Sequence, residues 1–215
     1  ATADHWSGRP APRLHVLAVE AAAAADRAGL GLAAGLPDAA FEHDGQLTKR
    51  DLRASALARL APVPGALLWD VGAGAGSVGI EWLRHHRGCR ALAIESDPVR
   101  AQRISRNAAA LGVPALEVVH GLAPEALATL PQPDAIFVGG GASCDGVLDH
   151  CWAALPPGGR LVVHAVTAET EALLVDRYRE HGGELLRWHT EQAEPLGGFT
   201  GWTPRRTVSQ WAVTR

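Results

Sequence analysis

One segment constrains this chain more than any other: Leu67-Leu-Trp-Asp-Val-Gly-Ala-Gly-Ala-Gly-Ser77. An apolar run too short for a helix ends at Asp70 and Val71. Gly72, Gly74 and Gly76 then take alternate positions before a longer amphipathic stretch begins. The same alternation continues downstream. Apolar runs at 67–71, 91–94, 116–119, 135–138 and 160–164 predict strands, and the intervening stretches at 77–86, 97–111, 123–129, 144–154 and 168–181 predict helices. Strand and helix repeated five times require crossovers, and hence a mostly parallel sheet with helices on both faces. After Gly183 the helical spacing stops. Residues 185–190 and 208–213 read as two strands joined by a loop, an antiparallel edge that brings the sheet to seven strands.

The chain upstream is different. Residues 13–20 have strand-like content, and the stretch from Ala21 to Leu36 is rich in alanine and glycine without an apolar face. Residues 1–42 are therefore expected to be a linker or the remnant of an upstream domain, with the domain proper running from 43 to 215. A helix is expected after Thr48, which reads as its N-cap with Asp51 three residues on. Methionine is absent even at position 1, which reads as an excised piece, and 19 of the 20 basic residues are arginine, which makes Lys49 stand out.

Composition removes several classes of function. With 47% hydrophobic residues over 215 positions the chain can bury a core, and its net charge of −3 gives no basic face for nucleic acid. No apolar run is long enough to span a membrane. Cys89, Cys144 and Cys151 are an odd set without CxxC spacing, so reduced thiols in the cytoplasm are expected. No metal site is expected either. His85 and His86 are adjacent and diverge on a helix, while Cys144 and Cys151, seven apart on one helix face, read as packed small residues.

The glycine loop points to a ligand with adenosine character. Glycines without Cβ let a ligand approach the backbone and the positive helix N-terminus. The spacing is G-x-G-x-G, not the G-x-G-x-x-G of dinucleotide folds. Asp70 precedes the loop, where a pyrophosphate would be repelled but an ammonium group would be welcome. Glu95 ends the second strand and can accept both hydroxyls of a ribose. S-adenosylmethionine, with an amino group, a sulfonium and no phosphate, fits this order better than NAD, which stays second.

These residues resemble the class I S-adenosylmethionine-dependent methyltransferases, Rossmann-like in fold. More narrowly, the chain is similar to the decarboxylating precorrin methyltransferases of cobalamin biosynthesis. The resemblance covers residues 43–215 and is carried by the opening 43–53 (His-Asp-Gly-Gln-Leu-Thr-Lys-Arg-Asp-Leu-Arg), the glycine loop, Ala93-Ile-Glu95, the stretch 120–127 from His120, Phe137-Val-Gly-Gly-Gly141 and Leu155-Pro-Pro-Gly-Gly-Arg-Leu161. It implies cofactor contacts at Thr48, Asp70, Gly72, Ala73, Gly74, Ala75, Gly76, Glu95, Gly121, Leu122 and Ala123. It also implies methyl transfer to carbon 15 of a precorrin tetrapyrrole with loss of carbon dioxide from the ring C acetate. An upstream C5-methyltransferase domain and a homotetramer are implied as well. Trp82, Trp152, Trp188 and Trp211 support the tetramer, being more large aromatics than one core needs.

The methyl-transfer face falls on Gly139 and Gly140, with His120 a candidate proton carrier, although a core-edge histidine is the preferred reading of it. A polycarboxylate acceptor should meet Lys49, Arg50, Arg53, Arg205 and Arg206, lie against Phe199 and Trp202, and pass Gly141. Two other readings stay open: a class I methyltransferase for protein or RNA, and a binding module that keeps the fold without the chemistry.

Overall fold

The computed structural model describes residues 12–18, 20 and 30–215. The chain divides into two units, 1–30 and 31–215. In the first, the strand expected over 13–20 does not form: the described residues 12–18 and 20 have no helix or strand, and Val19 lies outside the described residues. Most of the alanine tract, 21–29, lies outside them too.

The second unit begins earlier than residue 43. Leu36 and Phe41 are buried in its core, and both oxygens of the buried Glu81 carboxylate accept backbone N–H bonds, from Gly35 at 2.6 Å and Leu36 at 2.9 Å. Residues 31–42 are thus part of the domain and not a linker. A two-residue anchor in a run of glycine and alanine carries too little periodicity to be read from sequence.

The sheet has seven strands: β1 (Leu67–Val71), β2 (Arg90–Glu95), β3 (Glu117–His120), β4 (Ala135–Val138), β5 (Arg160–Ala165), β6 (Glu184–Trp188) and, after a separate hairpin, β9 (Val208–Thr214). Their order is β3-β2-β1-β4-β5-β9-β6. The first five pair in parallel, and β9 lies antiparallel to both β5 and β6. The order reverses between β1 and β4, and the crevice outside the carboxyl ends of these strands is where open α/β sheets bind ligands.

Helices α1 (Arg50–Leu60), α2 (Ser77–His85) and α3 (Pro98–Ala110) cover one face, packing Leu57, Leu60, Ile80, Trp82 and Ile104 on Leu68, Ala93 and Phe137. On the other face α4 (Val147–Ala154) and α5 (Ala168–His181) bury Leu148, Cys151 and Leu174 against Trp69, Ile136 and Val163. The fully buried β1 and β4 explain why their sequences are apolar but for Asp70.

Several local expectations change. Helix α1 begins one residue later than the Thr48 cap implies. Lys49 holds the cap position without a side-chain bond, and the Thr48 carbonyl instead accepts from Arg53. The stretch 123–129 shrinks to one 3-10 turn, Glu125–Leu127. Cys144 is exposed in the turn before α4, and Cys151 is buried within it, so the two do not share a helix face. The loop before β9 is itself a hairpin, β7 (Glu191–Leu196) with β8 (Phe199–Pro204), turning at Gly197-Gly198. Its prolines and charges hide the strand alternation, though a Gly-Gly pair between extended runs is a hairpin signal.

A candidate active-site cleft

A cavity of about 1160 Å³ opens along the carboxyl ends of the strands. Because the sheet order is fixed, its wall has two halves. Under β1, β2 and β3 lie Gly72, Ala73, Gly74, Ile94, Glu95, Ser96, Gly121, Leu122 and Ala123. Under β4, β5, β9 and β6 lie Gly139, Gly140, Gly141, Cys144, His164, Trp188 and Val208. Thr48, Lys49 and Arg50 close one rim, and Arg205 and Arg206 the other.

The glycine loop is built for close approach. Gly72 has φ +66°, and a Cβ there would sit 2.6 Å from the Gly140 carbonyl oxygen. Gly74 has φ +59°, and its Cβ would meet the Gln46 carbonyl at 2.9 Å, so the strap 44–48 lies directly over the loop. The strap is held at both ends. Asp44 pairs with Arg100 at 2.9 Å and Arg103 at 3.0 Å, which holds its carboxyl well below the usual range, while Arg53 grips the Thr48 carbonyl.

Glu95 faces the loop from β2. One carboxylate oxygen accepts from Gly74 N–H at 2.8 Å and the other from Asp97 N–H at 3.0 Å. These bonds fix the carboxylate beside the loop and leave each oxygen a further lone pair.

Seven of the residues proposed from sequence (Asp70, Ala75, Gly76, His120, Trp202, Phe199 and Arg53) do not reach the cavity. Asp70 points beneath α2, 1% exposed, where one oxygen accepts from Gly79 N–H at 2.8 Å and the other has no partner. Burial pushes its pKa up to about 7. It braces the helix behind the loop and takes no part in the cavity wall. Ala75 is buried, and Gly76 backs onto Ile104, so the loop offers only its first three residues. His120 is exposed at the far strand and bonds the Ser96 carbonyl at 3.0 Å. Trp202, 72% exposed, rides on the β7–β8 hairpin beside Phe199, 84% exposed.

Arg53 is also displaced from the role given to it. It is fully buried, 2.6 Å from Glu81 and 3.2 Å from Asp38, and ties α1 to α2 and to residues 36–38. The remaining cations stay at the rim. Lys49 is 3.8 Å from Asp38 and Arg205 bonds Gln192 and Glu194. The Arg50 and Arg206 side chains make no hydrogen bond or ion pair among the described residues.

Sequence reasoning missed His164, Cys144 and Trp188. The position of His164 at the carboxyl end of β5 was the available signal, since that end of every parallel strand borders the crevice.

The precorrin methyltransferase domain family matches residues 39–215. A precorrin-6Y C(5,15)-methyltransferase [decarboxylating] from Sinorhizobium sp is 54% identical over 202 residues, covering 94% of this chain and 49% of the relative. One of the same name from Mycobacterium tuberculosis (strain ATCC 25618 / H37Rv) is 50% identical over 179 residues, 83% of this chain and 45% of the relative. The chain thus spans about half the length of the curated relatives it matches. The crystal structure of the C-terminal domain of precorrin-6Y C5,15-methyltransferase from Rhodobacter capsulatus superposes with a TM-score of 0.81 at 46% identity, covering 86% of this chain and all of that one. With the fold, the glycine loop and these matches in agreement, the chain belongs to the precorrin methyltransferase domain family.

Proposed function

We propose that the chain binds S-adenosylmethionine in the β1–β3 half of the cleft and a precorrin tetrapyrrole in the β4–β6 half. It would methylate carbon 15 and promote loss of carbon dioxide from the ring C acetate. The observation that carries this reading is the single continuous cavity of about 1160 Å³ with a glycine cradle at one end and arginines at the other. Clefts for one small ligand measure roughly 300–1000 Å³, so this one is larger than the donor alone requires.

The residues fit the donor. Gly72 and Gly74 line the cavity with bare backbone, side chains there being excluded by the Gly140 and Gln46 backbone, and Glu95 presents carboxylate lone pairs where a ribose diol can donate. A buried carboxylate here suits a donor without phosphates. When bound, S-adenosylmethionine supplies an electrophilic methyl group. The chain's own contribution is alignment: Gly139 and Gly140 keep the wall flat beside the loop, and the strap over Gly74 excludes water. Arg50, Lys49, Arg205 and Arg206 would hold the acceptor's acetate and propionate groups.

The same reading proposes an upstream C5-methyltransferase domain, a homotetramer and a cytoplasmic setting suited to three free cysteines. Trp82 and Trp211 are core residues, so the tryptophan count does not support the tetramer. The exposed Leu196, Phe199 and Trp202 on β7–β8 do.

Calorimetry with S-adenosylhomocysteine, NADH and the tetrapyrrole tests the reading. S-adenosylhomocysteine should bind and NADH should not. Charge reversal at Arg205 and Arg206 should weaken tetrapyrrole binding in a salt-sensitive way and leave S-adenosylhomocysteine affinity unchanged. Micromolar NADH binding with no response to S-adenosylhomocysteine would overturn it.

A further inference from the structure

Among the described residues, His164 is the one imidazole on the cleft wall. It follows Val163, which pairs with Val138 of β4, and so stands next to Gly139, where the two halves of the cleft meet. Two contacts fix the ring. Phe137 meets it edge-on at 4.9 Å between centroids, and Gln210, directly opposite on β9, lies 2.9 Å away with its amide oxygen against Nε2. In that arrangement Nε2–H donates to Gln210, and Nδ1 is left as an acceptor. Nδ1 has no hydrogen-bond partner among the described residues. Burial depresses the ring's pKa to about 4, so it enters the cleft uncharged.

The Gln210 amide adds a second, independent observation. The residue is wholly buried, yet its Nε2 has no partner. Buried polar groups are almost always satisfied, and local violations gather at functional sites. A pair that served stability alone would be replaced with advantage by apolar side chains, which the neighbouring Phe137 and Val162 show this face accommodates.

We propose that His164 orients the acceptor: its Nδ1 accepts a hydrogen bond from an N–H or carboxyl O–H on the tetrapyrrole, and Gln210 holds the ring in the tautomer that can do so. The inference rests on the function proposed above and assigns that function a neutral contact between the arginine rim and Gly139. The charged rim anchors the acceptor's periphery, while His164 sets its rotation relative to the methyl donor. Gln210 is a positioning residue, acting only through His164.

The test combines S-adenosylhomocysteine titration, thermal melts and steady-state kinetics on the tetrapyrrole for wild type, His164→Ala, His164→Asn and Gln210→Leu. His164→Ala should bind S-adenosylhomocysteine within twofold of wild type and lose at least tenfold in kcat/KM for the tetrapyrrole. His164→Asn, which keeps a hydrogen-bonding atom near the Nδ1 position, should recover part of that loss. Gln210→Leu should melt no lower than wild type and still lose three- to tenfold. Wild-type kinetics in His164→Ala, or equal losses of donor and acceptor affinity in all three variants, would overturn the inference. If the wild-type chain itself leaves the tetrapyrrole unchanged, the proposed function fails and this assignment falls with it, a result distinct from a failure confined to the variants.

Discussion

The backbones of Gly72 and Gly140 touch across the top of the sheet, close enough that one added carbon on Gly72 would lie 2.6 Å from the Gly140 carbonyl oxygen. This contact joins the glycine loop after β1 to the strand end after β4. Gly72→Ala must relieve that overlap and also hold φ +66°, each at a cost of roughly 1–3 kcal/mol. The expected outcome is a melting temperature lower by several degrees, with weaker S-adenosylhomocysteine binding, seen by calorimetry and thermal melts.

Glu95→Ala removes the carboxylate that braces Gly74 N–H and faces the β1–β3 half of the cleft, proposed above to take the methyl donor. Hydrogen bonds to charged groups contribute about 1.5–3 kcal/mol, so S-adenosylhomocysteine affinity should fall roughly ten- to hundredfold. An unchanged dissociation constant would place the donor elsewhere.

Asp70 and His164 give stability opposite dependences on pH. The folded pKa of Asp70 is raised from 3.8 to about 7, so its contribution is fully present below pH 3.8 and is lost as pH rises through 7, about 4 kcal/mol in all. The folded pKa of His164 is lowered from 6.5 to about 4, so its contribution is present above 6.5 and is lost as pH falls through 4, about 3 kcal/mol. Between pH 4 and 6.5 the two largely cancel. Asp70→Asn keeps an acceptor for Gly79 N–H and removes the first dependence. Denaturant titrations of this variant should show higher stability than wild type at pH 8 and stability that rises from pH 4 to 6.5.

Cys144 is the exposed thiol, and it lies in the β4–β6 half of the cleft, proposed above to take the acceptor. Burial raises the Cys89 pKa and pushes that of Cys151 up to about 12. A thiol-alkylating reagent at neutral pH should therefore label Cys144 first, as read by peptide mass mapping. The tetrapyrrole should slow that labelling, and labelling at an unchanged rate would remove the acceptor from this half.

The parts of the fold legible in sequence were those set by periodicity and buried runs. Strands β1 and β4 and helix α5 fall on their expected residues because β1 and β4 are apolar apart from Asp70 and α5 begins at a clear cap, Thr167, whose side chain accepts from Thr170 N–H. The glycine loop was legible as a cradle because its chemistry is local. Which loop residues face the cleft was not legible, since Asp70 turns away by the alternation of β1 toward the α2 face, and the side of the sheet taken by α2 is a tertiary fact. Arg53 illustrates the same limit. A basic residue near a basic motif reads as a rim cation until Glu81, 28 residues on, is brought to 2.6 Å. His164 went unread because its meaning comes from Gln210, 46 residues away on a strand inserted beside β5.

The most direct test of the two-ligand cleft is incubation of the protein with the tetrapyrrole and methyl-labelled S-adenosylmethionine, followed by mass analysis of the pigment. The expected product carries one labelled methyl group and has lost one carbon dioxide. A pigment recovered without label, under conditions in which S-adenosylhomocysteine and the tetrapyrrole both bind, would contradict the account.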